Sequence, residues 1–245
     1  MTRFTLNAVL FLSVGCLLAS CDDDKSKDSD EGPVEGDEDA SVETHDSGPE
    51  EPPNTLSFFV TSDTSSTANL GGLTGADARC QRLADAAGAG KRTFRAYLSA
   101  ERDASNGGGP THARDRIGKG PWYNAKGALV AEDVDALHAR FGDAEVFLDE
   151  QGNKINGQWE GSATPNQHDI LTGSDMQGRL LTGKTCSDWT SAEAGVFAQV
   201  GHSDGLGPMR NGMAPYNSWQ SSHESAGCND TAPRGGAGKI YCFAE

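Results

Sequence analysis

The sequence predicts an α+β domain, and three observations carry the prediction. A capped helix, a glycine break and a strand follow one another between residues 71 and 100. Beyond residue 146, short apolar pieces alternate with long polar loops, and no helix longer than about ten residues is visible. Four cysteines are spread across the same region, at 80, 186, 228 and 242.

The domain opens on TLSFFVTS, residues 55–62, a strand with Leu56, Phe58 and Val60 on one face and Phe59 on the other. In GGLTGADARCQRLADAAGAG, Thr74 is placed to cap a helix, with Asp77 three residues on as the acidic partner. Ala76, Cys80, Leu83, Ala84 and Ala87 then form a single small-residue stripe that can lie close on a sheet. Gly88 and Gly90 end that helix. Phe94, Ala96 and Leu98 next alternate with Arg95, Tyr97 and Ser99, the period of a strand with one buried face. A charged, glycine-rich loop, 101–121, follows; its Arg114-Asp115-Arg116 run reads as a solvated ion-pair cluster. Trp122 to Val130 suggests a hairpin about Ala125-Lys126-Gly127. Asp133 can cap a short second helix that buries Val134, Leu137 and Phe141. Further strands are expected at 146–148, 170–173, 196–200 and 239–243.

The first quarter of the 245 residues is different in kind. Residues 1–21 combine Arg3, an apolar run from Phe4 to Leu18, and Leu18-Ala19-Ser20-Cys21. That is the pattern of a lipoprotein signal peptide with its lipobox, in which the Cys21 thiol is the atom acylated (palmitate or a similar chain) after export. The run is about 15 residues, shorter than the roughly 20 a spanning helix needs. Residues 22–54 hold 14 Asp or Glu against two Lys and no aromatic residue. Such a composition predicts a disordered acidic linker. Of the net charge of −16, most therefore belongs to this tether, which as a coil would average roughly 30 Å and extend further by self-repulsion. No basic patch for nucleic acid is present.

With Cys16 removed in the signal and Cys21 lipidated, four cysteines remain outside the cytoplasm, and an even number there reads as disulfides. Sequence alone allows three pairings. No CxxC, close Cys/His pair, HxH or HxxxH occurs, so no metal ligand set and no cofactor is expected. His202 with Asp204, and His223 with Glu224, are near pairs that read as solvated loop residues. Asp149-Glu150-Gln151-Gly152-Asn153 gathers oxygens about a glycine but lacks the alternate spacing of a calcium loop, and reads as a turn. Gly201-His202-Ser203-Asp204-Gly205 matches the G-x-S-x-G of serine hydrolases. A nucleophile elbow must run into a helix, however, and Leu206-Gly207-Pro208 does not start one. No catalytic residue is assigned.

Several segments resemble the endostatin domain of collagens and the related domain of bacterial lipoproteins: Gly75-Ala76-Asp77 with Cys80, Phe94-Arg95-Ala96 with Leu98-Ser99, Gly173-Ser174-Asp175 with Gly178-Arg179, Cys186-x-x-Trp189, and the terminal IYCF. The likeness covers most of residues 56–245. It implies a C-type-lectin-like fold with nested disulfides, Cys80 to Cys242 and Cys186 to Cys228. The zinc and heparin sites of vertebrate endostatin are not carried over, because the segment before the first strand is acidic and holds only His45. The calcium and saccharide triplets of sugar-binding C-type lectins are likewise missing. The expected organisation is a signal peptide (1–21), an acidic linker (22–54) and an endostatin-like domain (55–245). The expected function is a lipid-anchored lectin-like binding or structural module that is not an enzyme. It would be held to the bilayer through acylated Cys21, and would face an extracellular or periplasmic protein or glycan, with no nucleic acid. The expected address is the bacterial cell envelope, the outer membrane and cell surface first and the periplasmic face of the inner membrane second, although Asp22 would favour the latter by the enterobacterial sorting rule, which does not hold in all bacteria. The competing expectation is an enzyme on the same scaffold, of the formylglycine-generating-oxidase kind, which would use a reactive cysteine pair. The residues that contact a ligand are not legible.

Overall fold

The computed structural model describes residues 55–161 and 164–245. The signal peptide of 1–21, Cys21, the linker of 22–54 and His45 lie outside the described residues. Among the described residues no helix is long and apolar enough to cross a membrane.

The fold is α+β, with mostly short strands and few helices. Strand β1 (Phe58–Val60), helix α1 (Gly72–Ala86), β2 (Phe94–Ala96), β3 (Ala100–Asp103) and β4 (Gly109–Thr111) are followed by β5 (Trp122–Tyr123), β6 (Leu129–Ala131) and helix α2 (Val134–Ala139). The chain then gives β7 (Asp169–Leu171), β8 (Gln199–His202), β9 (His223–Glu224) and β10 (Gly236–Ala244). The main sheet runs in the order β1-β10-β7-β8-β9, with β2 also on β10; β3-β4 and β5-β6 are separate ribbons. Strand β10 is antiparallel to β1 and β2 and parallel to β7. All nine of its residues are buried. Its run from Ile240 to Ala244 is apolar on successive positions, as a strand covered on both faces requires, while buried Lys239 donates to the carbonyls of Thr61 and Ser62.

The period-two rule then sorts the core into two layers. Phe58, Val60, Tyr241 and Phe243 face one side, packed with Tyr97, Trp122, Leu137, Phe147 and Trp219. Phe59, Ile240 and Cys242 face the other, against Ala76, Cys80, Leu83 and Ala84 of α1. Leu56 precedes the strand and belongs to the α1 layer, not to the Phe58 face that strict alternation predicts. Tyr97 and Ser99 are also fully buried, so the segment after Arg95 is covered on both sides, by α1 below and by Trp219 and Phe243 above.

Helix α1 starts two residues before Thr74, from Gly71 at φ 76°, with no side-chain cap. Asp77 is engaged elsewhere. Its carboxylate accepts from the Ala96 amide at 2.9 Å, from Arg116 Nη2 at 2.9 and 2.7 Å and from Arg95 Nη1 at 3.1 Å. A half-buried carboxylate with two guanidiniums gains more there than at an exposed helix end, where a cap is worth only about 1 kcal/mol. Arg116 is thus a structural ion-pair partner and not part of a solvated cluster. Helix α2 is capped as the sequence predicts, Asp133 accepting from the Ala136 amide at 2.8 Å. It ends at Ala139, leaving Phe141 60% exposed.

Residues 146–148 form no strand; they dock through single bridges, with the Val60 amide donating to Leu148 O at 2.8 Å. The apolar piece at 196–200 enters the sheet three residues later than expected, as β8. The acidic turn at 149–153 closes on itself, Asp149 Oδ1 accepting from the amides of Gln151 at 3.0 Å and Asn153 at 2.8 Å. Cysteines 80 and 242 are bonded, with Cα atoms 5.5 Å apart, and so are 186 and 228, at 5.8 Å. Residues Cys186–Trp189 wind through a left-handed turn, φ from 48° to 65°. The second disulfide and a 2.9 Å bond from Trp189 Nε1 to Ser99 O hold it.

Candidate functional site

Strands β7, β8 and β9 lie side by side, and their register sets Asp169 opposite His202 and Val200 opposite His223. His202 follows Val200 by two, so all these side chains emerge on one face. His168, the residue before β7, completes the group. The His168 and His202 rings stack with centroids 4.3 Å apart and 16° between planes, and His223 meets His202 edge-on at 5.0 Å. One ligand atom from each of His168, Asp169 and His202 lies within 4.8 Å of the others, and these three buried residues could hold a metal ion.

The cluster floors a pocket of about 360 Å³ walled by Gln158, Asn166, Pro208, Tyr216 and Arg234. A larger groove, about 930 Å³, runs beside α1 and the 102–116 loop. The smaller is the better candidate site. The buried acidic groups of the groove already have partners: Asp77 as above, Asp103 with Ser105 and Thr111, Asp188 with the Glu101 amide. In the pocket, by contrast, Asp169 Oδ1 and His202 Nδ1 are buried without a hydrogen-bond partner. Unsatisfied buried polar atoms are rare and costly, and they concentrate where a molecule does something other than fold.

Electrostatics reflect that cost. Burial pushes the Asp169 carboxyl up to about 7, with Asp204 adding to the rise and His168 opposing it. Burial, and then the neighbouring His168 and His223, bring His202 down to about 3. Asp204 goes the other way: burial would raise it, but hydrogen bonds from His168 and from the Leu206 and Gln158 amides hold it below the usual carboxylate range. The Asp169 shift has a stability consequence. A carboxyl titrating near 3.8 unfolded and near 7 folded binds its proton more tightly in the native state, so its contribution is favourable below pH 3.8 and is lost as pH rises to 7. With chelator present, Asp169→Asn is therefore expected to gain stability over the parent chain as pH rises from 4 to 7, by at most about 4 kcal/mol. Urea unfolding at a series of pH values checks this; a constant difference would show that Asp169 is not strained by burial.

Sequence reasoning placed His202 and His223 in separate solvated pairs. The structure buries His202 to 1% exposure and joins the two at 3.0 Å between Nε2 atoms, while Asp204 turns to His168 Nδ1 at 2.8 Å. His168 and Asp169 were not singled out at all, because the 34 residues from His168 to His202 and the 21 from His202 to His223 become short only through the β7-β8-β9 ladder. The remaining histidines among the described residues stay apart: His138 bonds Tyr97 and Val134, and His112 accepts from the Leu180 amide. The G-x-S-x-G segment owes its glycines to packing. A Cβ at Gly201 would lie 1.9 Å from Trp219 O, and one at Gly205 2.4 Å from Gly142 O. Ser203 is buried, and a single 3-10 turn at Pro208–Arg210 comes next, so no elbow forms.

Fold and site together define a disulfide-closed α+β domain with a buried histidine–carboxylate cluster beneath an open pocket. No family model and no curated protein matches the chain.

Proposed function

We propose that this protein is an exported lipoprotein, anchored through acylated Cys21, that displays a non-enzymatic binding module of the C-type-lectin-like, endostatin-like kind. The observation that carries the reading is where apolar surface stays open. The large hydrophobic residues left exposed among the described residues are Leu129, Phe141, Met176, Met209 and Met213, at 44, 60, 43, 95 and 71% exposure, and all fall between 101 and 235. Methionines and aromatics on loops of a rigid scaffold are typical of contact surfaces. The loops that carry Phe141, Met209 and Met213 are tied together, the Gly142 amide donating to Asn217 O at 3.0 Å and the Asn217 amide to Met213 O at 3.3 Å.

The partner in this reading is a protein or glycan outside the cytoplasm, and the acidic linker holds the module clear of lipid headgroups. An oxidase on the same scaffold would need free reactive cysteines, whereas the four in the described residues are paired and fully buried. The test is a glycan and protein array probed with the full chain in detergent, with calcium and with chelator. Binding is expected, and the triple variant Phe141→Ser, Met209→Ser, Met213→Ser is expected to abolish it. An array without signal, or one the variant leaves unchanged, overturns the loop-face reading.

A further inference from the structure

We propose that the floor of the small pocket is a site for one first-row divalent transition metal ion, zinc foremost, held by Nε2 of His168, His202 and His223 and by the Asp169 carboxylate. Nothing in the sequence resemblance points to these residues, which lie far along the chain from its N-terminal segment.

His223 Nδ1 lies 2.9 Å from the Glu224 carbonyl, an acceptor only, so this nitrogen carries the proton and Nε2 presents a lone pair. His168 Nδ1 lies 2.8 Å from Asp204 Oδ1, which fixes the same tautomer and again leaves Nε2 a lone pair. Both lone pairs face inward, toward Asp169 and His202. Asp169 Oδ1, on a side chain 3% exposed, adds further lone pairs and has no donor. Electron-pair donors from three strands thus gather about Asp169 at 3.3 to 3.6 Å, and a turn of the stacked His168 ring brings them onto one ion. A cation at that point satisfies Asp169 Oδ1 and the Nε2 lone pairs, while His202 Nδ1 keeps its proton.

The spacing fits a particular class of cation. A tetrahedral ion with bonds of about 2.0–2.1 Å sets its ligand atoms roughly 3.3–3.4 Å apart. Asp169 Oδ1 stands 3.3 Å from His168 Nε2 and 3.4 Å from His202 Nε2; Asp169 Oδ2 is 3.6 Å from His223 Nε2, and the His202 and His223 Nε2 atoms are 3.0 Å apart. Three imidazoles and one carboxylate suit zinc, copper or nickel, whereas calcium and magnesium take oxygen shells. Charge favours a cation only in part, because Arg234 on the pocket wall opposes it while two carboxylates support it. Asp169 at the ion and Asp204 behind His168 would together neutralise a dication, and the carboxylate behind a ligating histidine is the usual way its ring is oriented. The pocket supplies an entry path past Tyr216 and the partly exposed His223. Four protein ligands close the shell, which marks a structural centre bracing β7, β8 and β9 rather than a hydrolytic one.

This inference does not rest on the proposed function, and its test is separate. The full chain in detergent is stripped with EDTA, then titrated with zinc by calorimetry and with cobalt by visible spectroscopy. One ion per chain is expected, together with the intense d–d bands of four-coordinate cobalt without sulfur-to-metal charge transfer, and no calcium uptake at this site. Asp169→Asn and His202→Gln are expected to weaken zinc by at least about 100-fold, and Asp204→Asn by about 10- to 100-fold. His138→Gln, outside the cluster, should bind as the parent does. Circular dichroism and urea unfolding of each variant establish that it is folded, so loss of binding in a folded Asp169→Asn chain cannot be ascribed to unfolding. No stoichiometric uptake, or equal affinity in folded Asp169→Asn, would show a proton-linked histidine–aspartate cluster or zinc lodged elsewhere, and either overturns the proposal. Uptake by a chain silent on the arrays overturns the binding-module reading alone.

Discussion

Replacing Cys80 and Cys242 together by alanine is expected to leave the domain largely unfolded at 37 °C. The bond closes a loop of 162 residues, and in the chain-entropy model such a closure is worth about 5 kcal/mol against a typical total of 5–15. Both cysteines are fully buried, Cys80 at the centre of α1's packed face and Cys242 in the C-terminal part of β10, where β1 and β2 pair with it. Removing the bridge therefore frees the helix from the strand on which the sheet is built. The Cys186/Cys228 pair closes only 42 residues, worth about 4 kcal/mol in the same model, and it pins the left-handed turn at 186–189. Its double alanine variant should keep a cooperative transition and lose protection chiefly between 186 and 228. Urea unfolding and limited proteolysis of the two variants check the contrast. A milder loss from the outer pair than from the inner one would contradict the central place given to β10.

Trp219→Ala is expected to cost roughly 3–5 kcal/mol, the usual range for emptying a buried aromatic site. The indole is fully buried and packs on Tyr97, Tyr241 and Phe147 with centroids 4.8, 5.1 and 5.6 Å away. Its Nε1 donates to Leu137 O at 3.1 Å, fastening α2 to the core, and its own carbonyl accepts from Tyr241 Oη at 2.7 Å. Thermal unfolding measures the loss. Trp219→Phe should recover much of the packing yet leave Leu137 O without its donor, so it should fall between the parent and alanine. If alanine and phenylalanine behave alike, the hydrogen bond and not the packed volume dominates this site.

Elements whose signal is local were legible in the sequence. The α1 stripe of Ala76, Cys80, Leu83 and Ala84 is the buried face, and Asp133 caps α2, because helix period and capping chemistry act within a few residues. The features that were misread depend on distant partners. Asp77 reads as a capping residue until Arg116 arrives from 39 positions away. Residues 101–111 read as loop, yet β3 and β4 pair there, with Ala100 opposite Thr111 and Asp103 opposite Gly109. Phe141 continues the α2 period on paper, but the helix has ended. The candidate site was the least legible part. No two of His168, His202 and His223 are near in sequence, and only strand register makes them neighbours.

Strands β1 and β2 have no strand partner except β10, which follows both in the chain. The Phe58–Phe243 pair spans about 185 residues. A polypeptide that emerges N-terminus first, whether from a ribosome or a membrane pore, thus carries its opening strands unpaired until residues 236–244 appear. Contacts of such long separation are the slow ones to form. The architecture keeps the chain pliable for as long as it is threading, and makes the arrival of one late segment the event that commits it to the native state.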